Sequence, residues 1–228
     1  MKHPFLISFS GMDGSGKTQL IILLRRFFRR QGISYLYIHG VRDSLGDRAA
    51  RRIPFFKNLI KSKSPDSETA AGDEPLKNGN EKDKISFLSF LIRIAILVLD
   101  ALYLRARMLY WEKNYEVIIF DRYVYDKLIH AAYLRGKKHL NPSFWLVRMF
   151  PRPNAPIYLH ITPEQSMERK KEVVAEGQNE DYFKIKYRLF TEGAILWRLF
   201  TIDNSRLSVS EAKKKMISVF KKRYYKKF

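Results

Sequence analysis

Short apolar runs alternate with amphipathic segments along most of the chain. Five of these runs predict buried strands, at residues 5–9, 35–38, 117–120, 156–160 and 200–203. Between the first two, residues 18–31 have a helical period, with leucines and phenylalanines on one face and arginines off it. Strand, helix and strand in close succession predict parallel βαβ units. The pattern as a whole predicts an α/β fold of three layers, in which helices flank a parallel five-stranded sheet.

An unusually apolar segment follows the second predicted strand. Residues 85–104 are as long as a membrane span, and the helical pattern continues to about Trp111. Arg93 would lie near the bilayer centre, at a cost of roughly 2.5–3.5 kcal/mol on insertion scales. A long buried helix is therefore the preferred interpretation. Contact of this helix with a membrane surface or a partner is the alternative.

Polar and helical segments fill the rest of the chain. Residues 61–84 are rich in serine, lysine, acidic residues, glycine and asparagine, which predicts a mobile loop inserted into a single domain that spans residues 1–228. Further helices are predicted at residues 124–134, at residues 142–149, from Thr162-Pro163 onward, and at residues 184–198. A closing helix follows, with Ser208 or Ser210 as its N-cap.

Composition narrows the classes of function. The 228 residues contain no cysteine, which excludes disulfides, thiolate zinc sites and cysteine nucleophiles and favours a cytoplasmic protein. The first apolar run is too short for a signal peptide, which supports the same expectation. The formal net charge of +20 favours binding to polyanions, whether nucleotides, nucleic acid or an acidic membrane surface. A solvated basic exterior explains this charge equally well.

A glycine-rich turn lies between the first predicted strand and the first predicted helix. It reads GMDGSGKT at positions 11–18 and fits the pattern G-x-x-x-x-G-K-[ST]. The backbone N–H groups of such a loop and the helix N-terminus can hold the phosphates of ATP. Lys17 is expected to reach the β- and γ-phosphates, and the hydroxyl of Thr18 to bind Mg²⁺. The predicted ATP-binding residues are Gly11, Met12, Asp13, Gly14, Ser15, Gly16, Lys17 and Thr18.

A second charged motif, Asp121-Arg122-Tyr123, follows the third predicted strand. In a parallel sheet this position lies at the carboxyl ends of the strands, where ligands bind. Asp121 can hold Mg²⁺ there directly or through water, and Arg122 can bind a second phosphate through its two-pronged guanidinium. A surface ion pair at the end of a strand is the alternative interpretation.

Four stretches of the sequence resemble the thymidylate kinases and their relatives. They are SGMDGSGKTQ at positions 10–19, VIIFDRYVYD at 117–126, PNAPIYLHITPEQSMERK at 153–170 and FTIDNSRLSVSE at 200–211. The resemblance spans nearly the whole chain, and it implies a P-loop NTPase fold of the nucleoside-monophosphate-kinase type that binds ATP and Mg²⁺. It also implies transfer of the γ-phosphoryl group of ATP to the phosphate of dTMP or a related nucleoside monophosphate.

The resemblance assigns roles to single residues as well. It puts Asp13 in the surroundings of the metal and Arg122 at the acceptor phosphate. A lid is expected at about residues 169–183, in which Arg169 is the best candidate for a catalytic arginine, with two lysines after it. The catalytic set implied in this way is Lys17, Arg122, Arg169 and Asp13.

The sequence departs from that family on the acceptor side. After the second strand the family usually has T-R-E-P-G-G-T, whereas positions 39–46 read HGVRDSLG, and Ser10 replaces the acidic residue common before the P-loop. The acceptor therefore stays open. Further acceptor-side candidates are the arginines Arg42, Arg105 and Arg107, and the tyrosines Tyr103, Tyr123 and Tyr125, which could stack on a base or belong to the core.

Two other functions remain open. A nucleoside or other small-molecule kinase on the same fold would need a carboxylate base for its hydroxyl acceptor, and Asp43 suits that role by sequence order. A non-enzymatic nucleotide-binding protein at a membrane surface would use the positive charge, the apolar helix and the lysines near the C-terminus. A homodimer, and weak electrostatic contact with an anionic membrane or nucleic acid, are compatible with each function.

Overall fold

The structure, a computed structural model, describes residues 3–40, 87–134, 136–137, 139–140, 146–169 and 180–227. The strands in these ranges are β1 Phe5–Ser10, β2 Tyr35–His39, β3 Val117–Asp121, β4 Ala155–His160 and β5 Phe200–Asp203. The helices are α1 Lys17–Arg30, α2 Phe87–Trp111, α3 Val124–Leu134, α4 Leu146–Met149, α5 Pro163–Arg169, α6 Glu180–Leu196 and α7 Val209–Lys227. The predicted loop at 61–84, together with Arg42 and Asp43, lies outside the described residues.

All five strands pair in parallel in one sheet, in the order β2-β3-β1-β4-β5. This confirms the predicted α/β architecture, and the order is consistent with a P-loop kinase fold. Because the strands are parallel, their carboxyl ends meet at one side of the sheet, the carboxyl edge, and their amino ends at the opposite side, the amino edge. Positions 11–18 and 122 follow β1 and β3, so both predicted motifs lie at the carboxyl edge.

The strand residues alternate between two apolar layers. Phe5, which is 1% exposed, faces α1 and α7 and meets Phe220 of α7 with ring centroids 5.4 Å apart. The next residue, Leu6, faces the other layer, which contains α2 and α3. Truncating a phenylalanine such as Phe220 to alanine would cost about 3–5 kcal/mol, because the void would not close completely. This burial holds α1, and with it the loop before it, at a fixed place on the sheet.

Two predicted helix starts are confirmed in detail. The N–H of Gln165 donates to Oγ1 of Thr162 at 3.3 Å, which makes Thr162 the N-cap of α5. Ser208 and Glu211 form a reciprocal capping box, in which each backbone N–H donates to the other side chain, so Ser208 and not Ser210 caps α7.

The helix α6 begins four residues before the predicted start at residue 184. Residues 180–183, which the sequence assigned to a lid, form its first turn. Tyr182 and Phe183 are buried there, so tertiary packing extends the helix beyond the point where the sequence becomes polar. The rest of the predicted lid after Arg169, residues 170–179, lies outside the described residues. None of the described helices is sufficiently long and apolar to cross a membrane.

Candidate active site

The loop between β1 and α1 depends on glycine at its two ends. Gly16, the residue before α1, has φ of 85°, and Gly11 has φ of 149°. A Cβ on Gly16 would lie 2.7 Å from Nδ2 of Asn204, and one on Gly11 would lie 2.6 Å from the carbonyl oxygen of Leu159. Glycine is therefore required at both positions by conformation and by space. Because Gly16 offers no side-chain cap, the first N–H groups of α1 remain available to an anion.

Lys17 is the first residue of α1, and its side chain turns back into the loop. Its ammonium group donates to the carbonyl oxygens of Gly11 and Met12, at 2.9 and 2.7 Å, and to Oγ of Ser15 at 3.1 Å. Burial, and after it the positive charge of Arg122, lower the pKa of Lys17 to about 8. The charged form of this buried ammonium group is therefore poorly stabilised, and a phosphate placed beside it would stabilise that form strongly.

Three side chains from distant parts of the chain hold the loop from outside. Ser166, Arg169 and Asn204 donate, in that order, to the carbonyl oxygens of positions 13, 14 and 15, at 2.6, 3.1 and 2.8 Å. Arg169 was predicted from the sequence, as a residue of the lid, whereas Ser166 and Asn204 were not. Both lie in stretches that resemble the thymidylate kinases, and this was the available signal for them.

Arg122 follows β3 directly and lies between two carboxylates. It forms an ion pair with Asp13 of the loop, and its guanidinium is 3.9 Å from Asp126 in the first turn of α3. Although burial works in the opposite direction, these carboxylates raise the pKa of Arg122 above its usual value, so it remains a cation. The structure thus brings together Asp13 and Arg122, which the sequence selected from two separate motifs.

The backbone of Arg122 is left-handed, with φ of 67°, which is uncommon for a residue other than glycine and disfavoured by roughly 1–2 kcal/mol. The end of β2 holds it in this conformation. The N–H of Gly40 donates to the carbonyl oxygen of Asp121 at 2.8 Å. A Cβ on Gly40 would lie only 1.9 Å from the carbonyl oxygen of Arg122, so no side chain fits between these two segments of the backbone.

A buried carboxylate lies behind Arg122. Oδ2 of Asp126 accepts hydrogen bonds from Oγ of Ser10 at 2.6 Å and from the N–H of Tyr123 at 3.2 Å. Within the described residues Oδ1 accepts no hydrogen bond, and this is the oxygen that lies 3.9 Å from Arg122. Burial raises the pKa of Asp126, against the charge of Arg122 and the hydrogen bond from Ser10. Ser10 stands out in the sequence as a departure from the family, whereas a role for Asp126, which contacts it, was not predicted.

Asp121 and Thr18 are the predicted Mg²⁺ ligands. Asp121 ends β3, is buried, and accepts a hydrogen bond from the hydroxyl of Tyr37 at 3.0 Å. Thr18 lies in the first turn of α1 with an exposed side chain. In the ranges that the structure describes, no three histidine or acidic side chains form a group that could hold a metal ion. Mg²⁺ in nucleotide sites usually keeps several waters and binds one or two protein groups with the phosphates, so it does not require such a group.

A cavity of about 200 Å³ opens beside this site, between α2 and the ends of β2 and β3. The face of α2 that lines it contains Asp100, Tyr103, Arg107 and Trp111. Arg107 lies over the rings of Tyr103 and Trp111, 5.6 and 5.1 Å from their centroids. Asp100 accepts a hydrogen bond from Lys127 of α3 at 2.6 Å, and this buried ion pair accounts for the acidic residue inside an apolar helix.

Two acceptor-side candidates lie elsewhere. Arg105 donates to the carbonyl oxygen of Met149 at 2.6 Å and lines a cavity with Pro151 and Arg152, which precede β4, so it lies toward the amino edge. Tyr125 is buried and stacks on Trp197 with centroids 5.1 Å apart, which makes it a core residue. Tyr123 is buried too, although it forms part of the cavity wall.

The strand order, the loop at the carboxyl edge and the arginine beside it define a P-loop protein of the nucleotide-kinase-like class. The chain is 24% identical over 173 residues to the thymidylate kinase of Thermoanaerobacter pseudethanolicus, a match that covers 75% of this chain and 71% of the relative. It is 25% identical over 226 residues to the "Probable thymidylate kinase" of Pyrococcus abyssi, which covers 95% of this chain and 96% of the relative. A scan against models of protein families finds no match. The chain is therefore a divergent thymidylate-kinase-like protein.

Proposed function

We propose that the protein is an ATP-dependent nucleoside monophosphate kinase that transfers the γ-phosphoryl group of ATP to a monophosphate such as dTMP. The observation that carries the proposal is the ion pair between Asp13 in the loop and Arg122 at the end of β3. This contact puts a permanent cation, suited to a second phosphate, directly beside the loop suited to the first. Phosphoryl transfer needs such positioning and charge neutralisation more than covalent chemistry.

On the donor side, the loop amides and Lys17 would hold the phosphates of ATP. A phosphate beside Nζ of Lys17 would give the ammonium group an anionic acceptor in place of the neutral carbonyl oxygens that it now contacts, which would stabilise its charged form. Thr18 and Asp121 are the residues that would hold Mg²⁺, which neutralises phosphate charge when it is bound. Arg169 already contacts the loop at Gly14, and a small movement of its side chain would bring it to the transferred group.

On the acceptor side, Arg122 would bind the monophosphate through its guanidinium. The ion pair with Asp13 would weaken as the phosphate takes its place, whereas Asp126 would continue to orient Arg122 from behind. The cavity lined by α2 would take the rest of the acceptor, with Tyr103 in its wall as a surface for the base. The aromatic lining supports a nucleotide over a smaller phosphorylated metabolite.

The experiment is an acceptor panel with γ-labelled ATP. The purified protein is incubated with Mg²⁺ and with nucleoside monophosphates, nucleosides, or no acceptor, and labelled products are separated. We expect label on a monophosphate, with dTMP as the first candidate. The Lys17→Ala variant, purified in parallel, controls for contaminating kinases. Label only on a nucleoside hydroxyl would replace this proposal by a nucleoside kinase, and ATP binding without any transfer would replace it by a binding protein.

A further inference from the structure

The amino edge of the sheet collects the ends of several helices. The helices α1, α2 and α6 each end a few residues before the strand that follows, so their last turns lie at this edge. The end of α7 reaches the same edge, because Arg223 donates to the carbonyl oxygen of Asn154 at 2.5 Å, one residue before β4. The phosphate-binding loop lies at the opposite edge. The amino edge is thus a surface that the proposed chemistry does not use.

Exposed cations are concentrated on this surface. Helix ends and turns at the amino edge contribute Arg29, Arg30, Lys113, Arg198, Lys221 and Lys222, all with exposed side chains. Two acidic residues of the region, Glu112 and Glu116, accept hydrogen bonds from His3 and Ser34. The six cations outnumber these two acidic residues, so the net charge of the side chains named here is positive.

Large apolar side chains are exposed among these cations. Leu109 is 68% exposed and Tyr110 64% at the end of α2, Ile195 is 76% exposed at the end of α6, and Tyr225 is 69% exposed at the end of α7. Single exposed apolar residues are common on protein surfaces. Here they stand on three separate helices at one edge, together with exposed cations, which is the composition expected of a surface that binds an amphipathic partner.

A cavity of about 500 Å³ opens at the same edge, between the end of α2 and the segment before β4. Its walls are apolar at Met108, Leu109 and Pro151, and two arginines, Arg105 and Arg152, line it. Arg152 is exposed. Glu112 also lines the cavity and pairs with His3. Apolar walls with two guanidinium groups among them fit a phosphate that carries an apolar group.

We propose that the amino edge is a docking surface for a membrane leaflet that contains anionic phospholipids. Lysines and arginines would meet the lipid phosphates, and Leu109, Ile195 and Tyr225 would enter the interface between headgroups and acyl chains. Nucleic acid is the less suitable partner, because exposed aliphatic side chains such as Leu109 and Ile195 cannot stack on bases. The carboxyl edge would then face away from the membrane, where ATP can reach it. This inference does not rest on the proposed kinase activity.

Sedimentation with lipid vesicles tests the proposal without any substrate. The full chain is mixed with vesicles of phosphatidylcholine alone, or with about 30 mol% phosphatidylglycerol added, at low and high salt. We expect binding to the anionic vesicles, none to the neutral ones, and release by high salt, because salt screens the attraction between cations and lipid phosphates. Each surface cation contributes about fivefold to the partition of the protein between water and the membrane.

Two pairs of variants locate the contact. Lys221→Gln with Lys222→Gln removes two charges near the amino edge, and Lys214→Gln with Lys215→Gln removes two from an earlier turn of the same helix. The first pair should weaken vesicle binding on the order of 25-fold and the second less than about threefold. Leu109→Gln should also weaken binding, whereas Leu102→Gln, an exposed leucine earlier on α2, should not. The substituted lysines all lie on α7, and both leucines lie on α2. Circular dichroism of each variant checks that the fold is retained.

Three results would overturn the proposal. Equal losses in both lysine pairs would show that net charge alone binds vesicles. Equal binding by the Leu109→Gln and wild-type proteins, with tighter binding to a duplex oligonucleotide than to vesicles, would identify a nucleic-acid surface instead. Failure of the wild-type protein to bind anionic vesicles at low salt would remove the proposal altogether. The acceptor panel described above would be unaffected by any of these results.

Discussion

The proposed donor side and the proposed acceptor side of the candidate site meet where Asp13 contacts Arg122, but they are built differently. On the donor side, positions 11–18 are contiguous, and all three hydrogen bonds of Lys17 stay within them. The acceptor side is assembled from α2, α3 and the ends of β2 and β3. The loop places its glycines and its lysine within one contiguous motif, which Ser166, Arg169 and Asn204 hold from outside. The cavity has no contiguous motif and depends on packing throughout. Such an acceptor side can diverge while the phosphate-binding loop is retained.

The largest effect is expected from the donor side. Lys17→Ala should lower kcat on the order of a thousandfold, because it removes the cation that would neutralise the transferred phosphoryl group. Steady-state kinetics and circular dichroism check this, with Lys214→Ala on the exposed side of α7 as the control. A Lys17→Ala protein with near wild-type turnover would mean that the loop does not hold the donor phosphates.

The next effect tests the boundary between the two sides. Arg122→Ala should raise the KM for a monophosphate acceptor and lower kcat, for a combined loss in kcat/KM on the order of a hundredfold. The KM for ATP should change little, since the loop would hold the donor. Arg122→Lys should restore only part of the loss, because an ammonium group cannot reproduce the two-pronged contact.

Other outcomes for Arg122 are equally informative. A lower kcat with an unchanged acceptor KM would indicate an acceptor that is uncharged before the reaction. No change in either parameter would make the ion pair of Arg122 with Asp13 a structural contact at the end of a strand, and the acceptor side would have to be sought elsewhere.

A smaller effect is expected from the carboxylate behind Arg122. Asp126→Asn should lower kcat/KM for the acceptor about tenfold with little change in the KM for ATP, because Asp126 would act only by orienting Arg122. The double variant Ser10→Asp, Asp126→Ser returns a carboxylate to the end of β1 and should recover part of the loss. An equal loss for both substrates, without recovery, would show that Asp126 supports the fold as a whole.

The smallest expected effect is the uptake of less than one proton by Lys17 for each ATP that binds. The pKa of Lys17 is lowered to about 8, so at about pH 8.5 roughly three quarters of the side chains are neutral in the free protein. A bound phosphate would raise this pKa and protonate Lys17, so ATP binding should take up protons at this pH and hardly any at pH near 6.5. Calorimetry in buffers of different ionisation enthalpy measures the uptake. A Lys17→Met protein that binds ATP with the same uptake would assign the proton to another group.

The sheet and the donor loop could be predicted from the sequence because their signals are local. Each strand is a short apolar run, and the glycines around Lys17 form one motif. The contact between Ser10 and Asp126 could not be predicted, because it joins residues 116 positions apart and no local sequence pattern links the two. Arg105 was named as an acceptor-side candidate, and its contacts away from that side could not be predicted for a related reason. The side of α2 on which Arg105 and Arg107 each lie depends on helical phase, which the nearly continuous apolar pattern of 85–104 does not define.

The close approach of Gly40 to the backbone of Arg122 gives a criterion for recognising related proteins. Overall identity of about 25% is a weak guide to which distant sequences share this acceptor side. A glycine directly after the second strand, paired with Asp-Arg after the third, is a two-point signature that can be searched for without an acceptor motif. Sequences that carry a larger residue at that position would have to route the chain after β2 along a different path, and we expect them to select different acceptors.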